Sequence, residues 1–188
     1  MSMVMLRQMA RVWPSEGNHG YIGFMSDAEG GPGEWVLLTY RLPREPSAPR
    51  LALWRKLKRL GVAQLSDGLV GLPADARTRE QLEWAAEEVE AAGGTAGVWS
   101  ARPATRAQER AVIEPMDAAR AVEYAEVVAE ATAARALEEH ERVQALRRLR
   151  AQMRRIERRD FFHPPGREQA RQALADLTGS AAPAEVAP

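Results

Sequence analysis

Residues 34–101 read EWVLLTYRLPREPSAPRLALWRKLKRLGVAQLSDGLVGLPADARTREQLEWAAEEVEAAGGTAGVWSA. Glycines and prolines divide the stretch into strand, basic helix, strand, strand, acidic helix, strand. Trp35 to Tyr40 is a strand candidate with bulky apolar residues on both faces, Trp35 and Leu37 on one, Val36 and Leu38 on the other. Pro43, Pro46 and Pro49 then turn the chain, and Pro49 suits the first turn of a helix. That helix ends at Gly61, in the place a glycine takes just past a C-terminus. Leu53, Trp54, Leu57 and Leu60 form its expected buried stripe, with Ala52, Arg55, Lys56 and Arg59 opposite.

Two short strands, at 62–66 and 69–72, flank Asp67-Gly68, a pair that favours a tight hairpin. Pro73 and Asp75 introduce a second helix over 76–92, with Leu82, Ala85, Ala86 and Val89 inward and Trp84 almost opposite them. Gly93-Gly94 ends it, and Thr95 to Ala101 is the fourth strand. The expected class is therefore α+β, a ferredoxin-like βαββαβ core over 34–101.

The flanks read differently. Residues 1–33 hold six glycines and five of the seven methionines, and the expectation is a disordered extension. Residues 102–178 are almost wholly helical and form a long-helix extension packed on the core or on a partner. Residues 105–134 give one or two acidic helices, broken or not at Pro115. Residues 136–159 give an Arg-rich helix with a seam of Val143, Leu146, Leu149, Met153 and Ile156. A short helix with Ala170, Leu174 and Leu177 on one side follows, and 179–188 is an expected disordered tail.

The formal net charge of zero over 188 residues hides local fields. Residues 141–159 carry eight Arg against two Glu, and residues 109–139 carry eight acids against three Arg. The absence of cysteine removes disulfides, thiolate metal sites and Cys nucleophiles. No apolar run approaches the ~20 residues needed to span a bilayer, and a cytoplasmic location is expected. His19, His140 and His163 share no ligand spacing, so neither metal nor cofactor is expected. Glycines 30, 31 and 33 precede a strand rather than follow one, the wrong order for a dinucleotide fingerprint. No catalytic constellation assembles, and the expectation is a protein that is not an enzyme.

Two binding readings remain. The cations Arg41, Arg44, Arg55, Lys56 and Arg59, with Arg147 and Arg154 of the Arg-rich helix, suit phosphate contact with DNA. Against this stands a solvated face, or pairing with the acidic helices. The two-faced first strand asks for cover on its open side, either from the chain's own long helices or from a second copy. Val36, Leu38 and Trp84 are the candidates for dimer or helix packing, and a homodimer is expected.

The words WVLLTYRLPREPSAPRLALWRKLKRLGVAQLSDGLVGLP, TREQLEWAAEEVEAAGG and RRIERRDFFHPPGREQA resemble the N-terminal domain of the chromate resistance protein ChrB over residues 34–178. The W-x-x-L-x-x-L-G phrase, Trp54 to Gly61, and the Glu83-Trp84 pair are its more specific parts. The resemblance implies a chromate-responsive transcription factor whose N-terminal part supplies DNA binding. By similarity its core looks like those of CRISPR-associated nucleases and of the C-terminal part of PaaX repressors. Full ChrB proteins carry a second, C-terminal domain absent from these residues. An adaptor module that binds a separate ChrB C-terminal-like protein is the alternative. A metal-dependent nuclease fits less well, because Tyr40, Arg41, Leu42 and Pro43 stand where a metal-binding carboxylate is wanted.

Overall fold

The computed structural model describes residues 33–179. The element order is β1 (Trp35–Arg41), α1 (Ser47–Leu60), β2 (Ala63–Ser66), β3 (Leu69–Pro73), α2 (Ala76–Ala91), β4 (Thr95–Ala101), α3 (Arg106–Ala134), α4 (Glu139–Glu157) and α5 (Gly166–Gly179). The four strands form one antiparallel sheet in the order β2-β3-β1-β4. The chain is thus a mixed α/β protein. The expected extension and tail lie outside the described residues, apart from Gly33 and Gly179. No helix among the described residues is long and apolar enough to cross a membrane.

Local chemistry explains the boundaries. Gly61 ends α1 in the left-handed region at φ 74°, and its N–H donates to the Leu57 carbonyl at 3.1 Å. Asp75 and Thr78 form a reciprocal capping box at the start of α2, with Thr78 N–H donating to Asp75 Oδ1 at 2.6 Å. Thr105 accepts from Gln108 N–H and starts α3. That helix runs unbroken through Pro115, so the 105–134 stretch is one helix and not two.

One core lies between the sheet and the pair α1/α2. Val36, Leu38, Val70 and Leu72 meet Leu53, Leu57, Leu82, Ala85 and Val89 there. A second core lies among α3, α4 and α5, from Tyr124, Val127 and Ala131 to Leu149, Ile156 and Leu177. The ion pairs set the directions. Glu130 meets Arg148 and Glu123 meets Arg159, so α3 and α4 run antiparallel.

A third, smaller cluster joins the units. Trp35 and Ala63 on the other sheet face pack with Phe162, and Leu37, Val112, Ile113 and Met116 surround them. The Trp35 and Phe162 rings are 6.1 Å apart. The open face of β1 is therefore covered at its Trp35 end by the chain's own α3 and by the turn after α4.

Two expectations change here. Val36 and Leu38 are fully buried beneath the chain's own α1 and α2. They pack against helices, but neither side chain is available to a second copy. Trp54, expected in the buried stripe of α1, is 52% exposed. The helix seats its Leu53–Leu57 line on the sheet and leaves Trp54 lining a cleft whose other wall is α3, with Lys58 Nζ 4.3 Å from its ring.

Candidate functional site

The last turn of α1 and the residues that end α4 converge. Lys58, Arg59, Arg155, Arg158 and Arg159 together line a pocket of about 400 Å³, and no carboxylate is among its walls. Five cations come together here for reasons visible in the backbone. Both contributing helices point their C-termini at the site, and the partial negative charge of a helix C-terminus stabilises nearby Lys and Arg. Arg159 also pairs with Glu123, Nη1 to Oε1 at 3.2 Å. Lys58 lies over the Trp54 ring. The Arg158 carbonyl accepts from Arg77 Nη2 at 2.9 Å. Among the described residues, no carboxylate ion-pairs with Arg59, Arg155 or Arg158.

Gly61 is what lets the two ends meet. A Cβ at this position would stand 2.8 Å from Arg159 Cβ, so a side chain there would push α4 away. The glycine thus serves both the helix cap and the close approach.

The sequence-predicted cations divide in this geometry. Arg59 is in the pocket, and Arg55 is exposed one turn earlier on the same face of α1. Lys56 is turned away, with its Nζ 2.7 Å from Glu88 of α2. Arg154 and Arg147 are exposed on α4. Arg154 precedes Arg158 by one turn and Arg147 lies two turns further back, so they extend the cationic strip without lining the pocket. Arg41 is exposed at the end of β1, opposite Thr95. Arg44 is exposed in the loop after it, its carbonyl accepting from Arg50. Pairing of the Arg-rich helix with acidic α3 is observed for Arg148 and Arg159. It does not extend to Arg147 or Arg154 among the described residues.

From the Arg-rich helix the sequence reading singled out Arg147 and Arg154, and it did not single out Lys58, Arg155, Arg158 and Arg159, which line the pocket. A signal was present in the doublets of RRIERRD, since two arginine pairs four residues apart make one continuous cationic face at a helix end. What pairwise spacing could not give is that α1 ends beside that face.

A family model described as "Protein ChrB, N-terminal" matches residues 50–183. The chain belongs to the ChrB N-terminal family. The match runs from α1 through α5, and so takes in every residue of the cationic pocket. It leaves β1 outside, whereas the resemblance in the sequence spans residues 34–178. Comparison with curated proteins and with solved structures returned no match. Within these phrases Gly61 and Arg159 lie close in space, a Cβ on the glycine falling 2.8 Å from Arg159 Cβ.

Proposed function

We propose that the protein is a DNA-binding transcriptional regulator of the ChrB kind, linked to chromate resistance, and that it is not an enzyme. The observation that supports this reading is the pocket lined by five cations and no carboxylate. Such a site suits the closely spaced phosphates of a nucleic-acid backbone, whose condensed counterions are released on binding. Arg55, Arg147 and Arg154 lengthen the strip. The sheet order, read from its other edge as β4-β1-β3-β2, supports taking the core as ferredoxin-like. A DNA target is consistent with a cytoplasmic location.

The test is binding to the DNA upstream of the protein's own operon. Binding that weakens steeply with salt, and weakens again in Arg59→Ala with Arg158→Ala, is the expected result. Unchanged affinity in that double variant would remove the site assignment. Failure to bind any operon DNA, together with tight binding of a separate ChrB C-terminal-like protein, would favour an adaptor.

A homodimer belongs to the same proposal, through the open sheet face and without Val36 and Leu38, which the chain's own helices cover. Trp99, on the same sheet face as Leu37, is 59% exposed and is held by a 3.1 Å hydrogen bond from Nε1 to Thr39 Oγ1. Trp84 on α2 is 51% exposed. Trp99→Glu is expected to convert a dimer to a monomer in light scattering, and a variant with unaltered mass would exclude this face.

A further inference from the structure

A second cavity, of about 720 Å³, opens beside the cationic pocket and shares Lys58 and Arg159 with it. Its walls come from both units. The end of α1 and strand β2 form one side, and α3 forms the other. Junctions of this kind, with apolar walls and a few convergent polar groups, are where small-molecule sites occur, at volumes of roughly 300–1,000 Å³.

Trp54, Leu57, Val112, Pro115 and Met116 supply the apolar lining. At one end Arg120 and Arg159 both lean on a single carboxylate, Glu123, with Arg120 Nε 3.0 Å from Oε2 and Arg159 Nη1 3.2 Å from Oε1. Lys58 adds a third cation at the rim. One carboxylate against three cations leaves positive charge uncompensated in the lining. Arg120 has only 12% of its side chain exposed. Burial lowers its pKa from the usual value, with Glu123 opposing that shift. A further negative group placed beside these guanidiniums would form charge-assisted hydrogen bonds in a partly desolvated setting. Gly61 keeps the floor open, since a Cβ there would also come 3.3 Å from Arg120 Nη1.

We propose that this cleft binds a small organic anion with an apolar, ring-sized body, and that the bound anion weakens phosphate contact through Lys58 and Arg159. The regulatory half rests on the DNA-binding reading; the ligand site does not. Each half of the ligand is required by the walls. An inorganic anion would leave Trp54, Val112 and Met116 wet, and a neutral ring would leave the guanidiniums unmatched.

The test uses the full chain, with naphthoate as the probe and inorganic phosphate and a neutral naphthyl alcohol as controls, read by calorimetry without DNA. Saturable naphthoate binding is expected, with the alcohol and phosphate each weaker by about tenfold or more. Ala119→Trp fills the cleft from an exposed position of α3 and should abolish that binding. If that variant loses its circular dichroism signal, Ala111→Trp, two turns earlier in the same lining, replaces it. Naphthoate binding that is absent, or indifferent to these variants, or matched by phosphate alone, overturns the proposal. Saturating naphthoate should then weaken operon DNA binding by about fivefold or more, and an unchanged affinity overturns the regulatory half. A protein that bound no DNA at all would defeat the functional reading, while calorimetry would still decide the cleft.

Discussion

The Tyr124 hydroxyl donates a 2.7 Å hydrogen bond to Asp160 Oδ2, and both side chains are buried where α3 meets the end of α4. Asp160 Oδ1 accepts from His163 N–H at 2.8 Å, and Arg167 Nε lies 3.7 Å from Oδ2. The carboxylate thereby closes the turn in which His163 takes a φ of 57°, and it fixes the helix end from which Arg155, Arg158 and Arg159 project. Tyr124→Phe removes one donor from a buried carboxylate. It should cost about 1–3 kcal/mol of stability in denaturant unfolding. A variant as stable as the wild type would mean that Asp160 is satisfied without the phenol.

The same pair sets an alkaline limit. Burial raises the Tyr124 pKa well above 10, and the hydrogen bond to Asp160 and its charge raise it further. The folded state thus holds this proton where the unfolded chain releases it. The resulting stability is present in full below the unfolded value near 10 and is lost as pH climbs above it. Wild-type unfolding free energy should therefore fall more steeply above about pH 10 than that of Tyr124→Phe. Tyr40, whose pKa burial and then Asp67 also raise, is common to both proteins and cancels in the comparison. Parallel curves would contradict the assignment.

Much of the sheet unit was legible because its signals are local. The Asp67-Gly68 hairpin, the Asp75 cap, Gly61 and the apolar run that opens Trp35–Arg41 each act within a few residues. The α4 seam was legible for the same reason, and Leu146, Leu149, Met153 and Ile156 are buried as its period requires. What escaped depends on how units meet. Nothing in α1 alone says that Trp54 lines a cleft against α3, or that Glu88 claims Lys56. Nor could the strip of Arg154, Arg155, Arg158 and Arg159 show that a neighbouring helix ends against it. Phe162 on Trp35 and Arg159 on Gly61 are contacts of high sequence separation, and these determine which cations converge.

Gly61→Ala tests that convergence directly. An alanine would have to adopt φ 74° and would bring its Cβ within 2.8 Å of Arg159 Cβ. Backbone strain alone costs about 1–3 kcal/mol, and the contact requires α4 to shift. The variant should melt lower and bind DNA more weakly, although no charge has changed. Equal stability and equal affinity would show that the two helix ends need not touch.

Lys56 and Arg59 are three residues apart on α1, yet the geometry assigns them different work. Lys56 Nζ is held 2.7 Å from Glu88 at a partly exposed position. Such pairs contribute about 0–1 kcal/mol, so Lys56→Ala should change stability little. Because its charge is already matched, it should also leave the salt dependence of DNA binding nearly unaltered. Arg59 has no carboxylate partner among the described residues and lines the cationic pocket. Arg59→Ala should lower the slope of log affinity against log salt by about one and weaken binding across sequences alike. The comparison is made by titrating the same duplex at several salt concentrations. If Lys56→Ala reduced the slope as much as Arg59→Ala, the Glu88 pair would have to open on binding, and the whole basic face of α1, not its last turn, would be the contact.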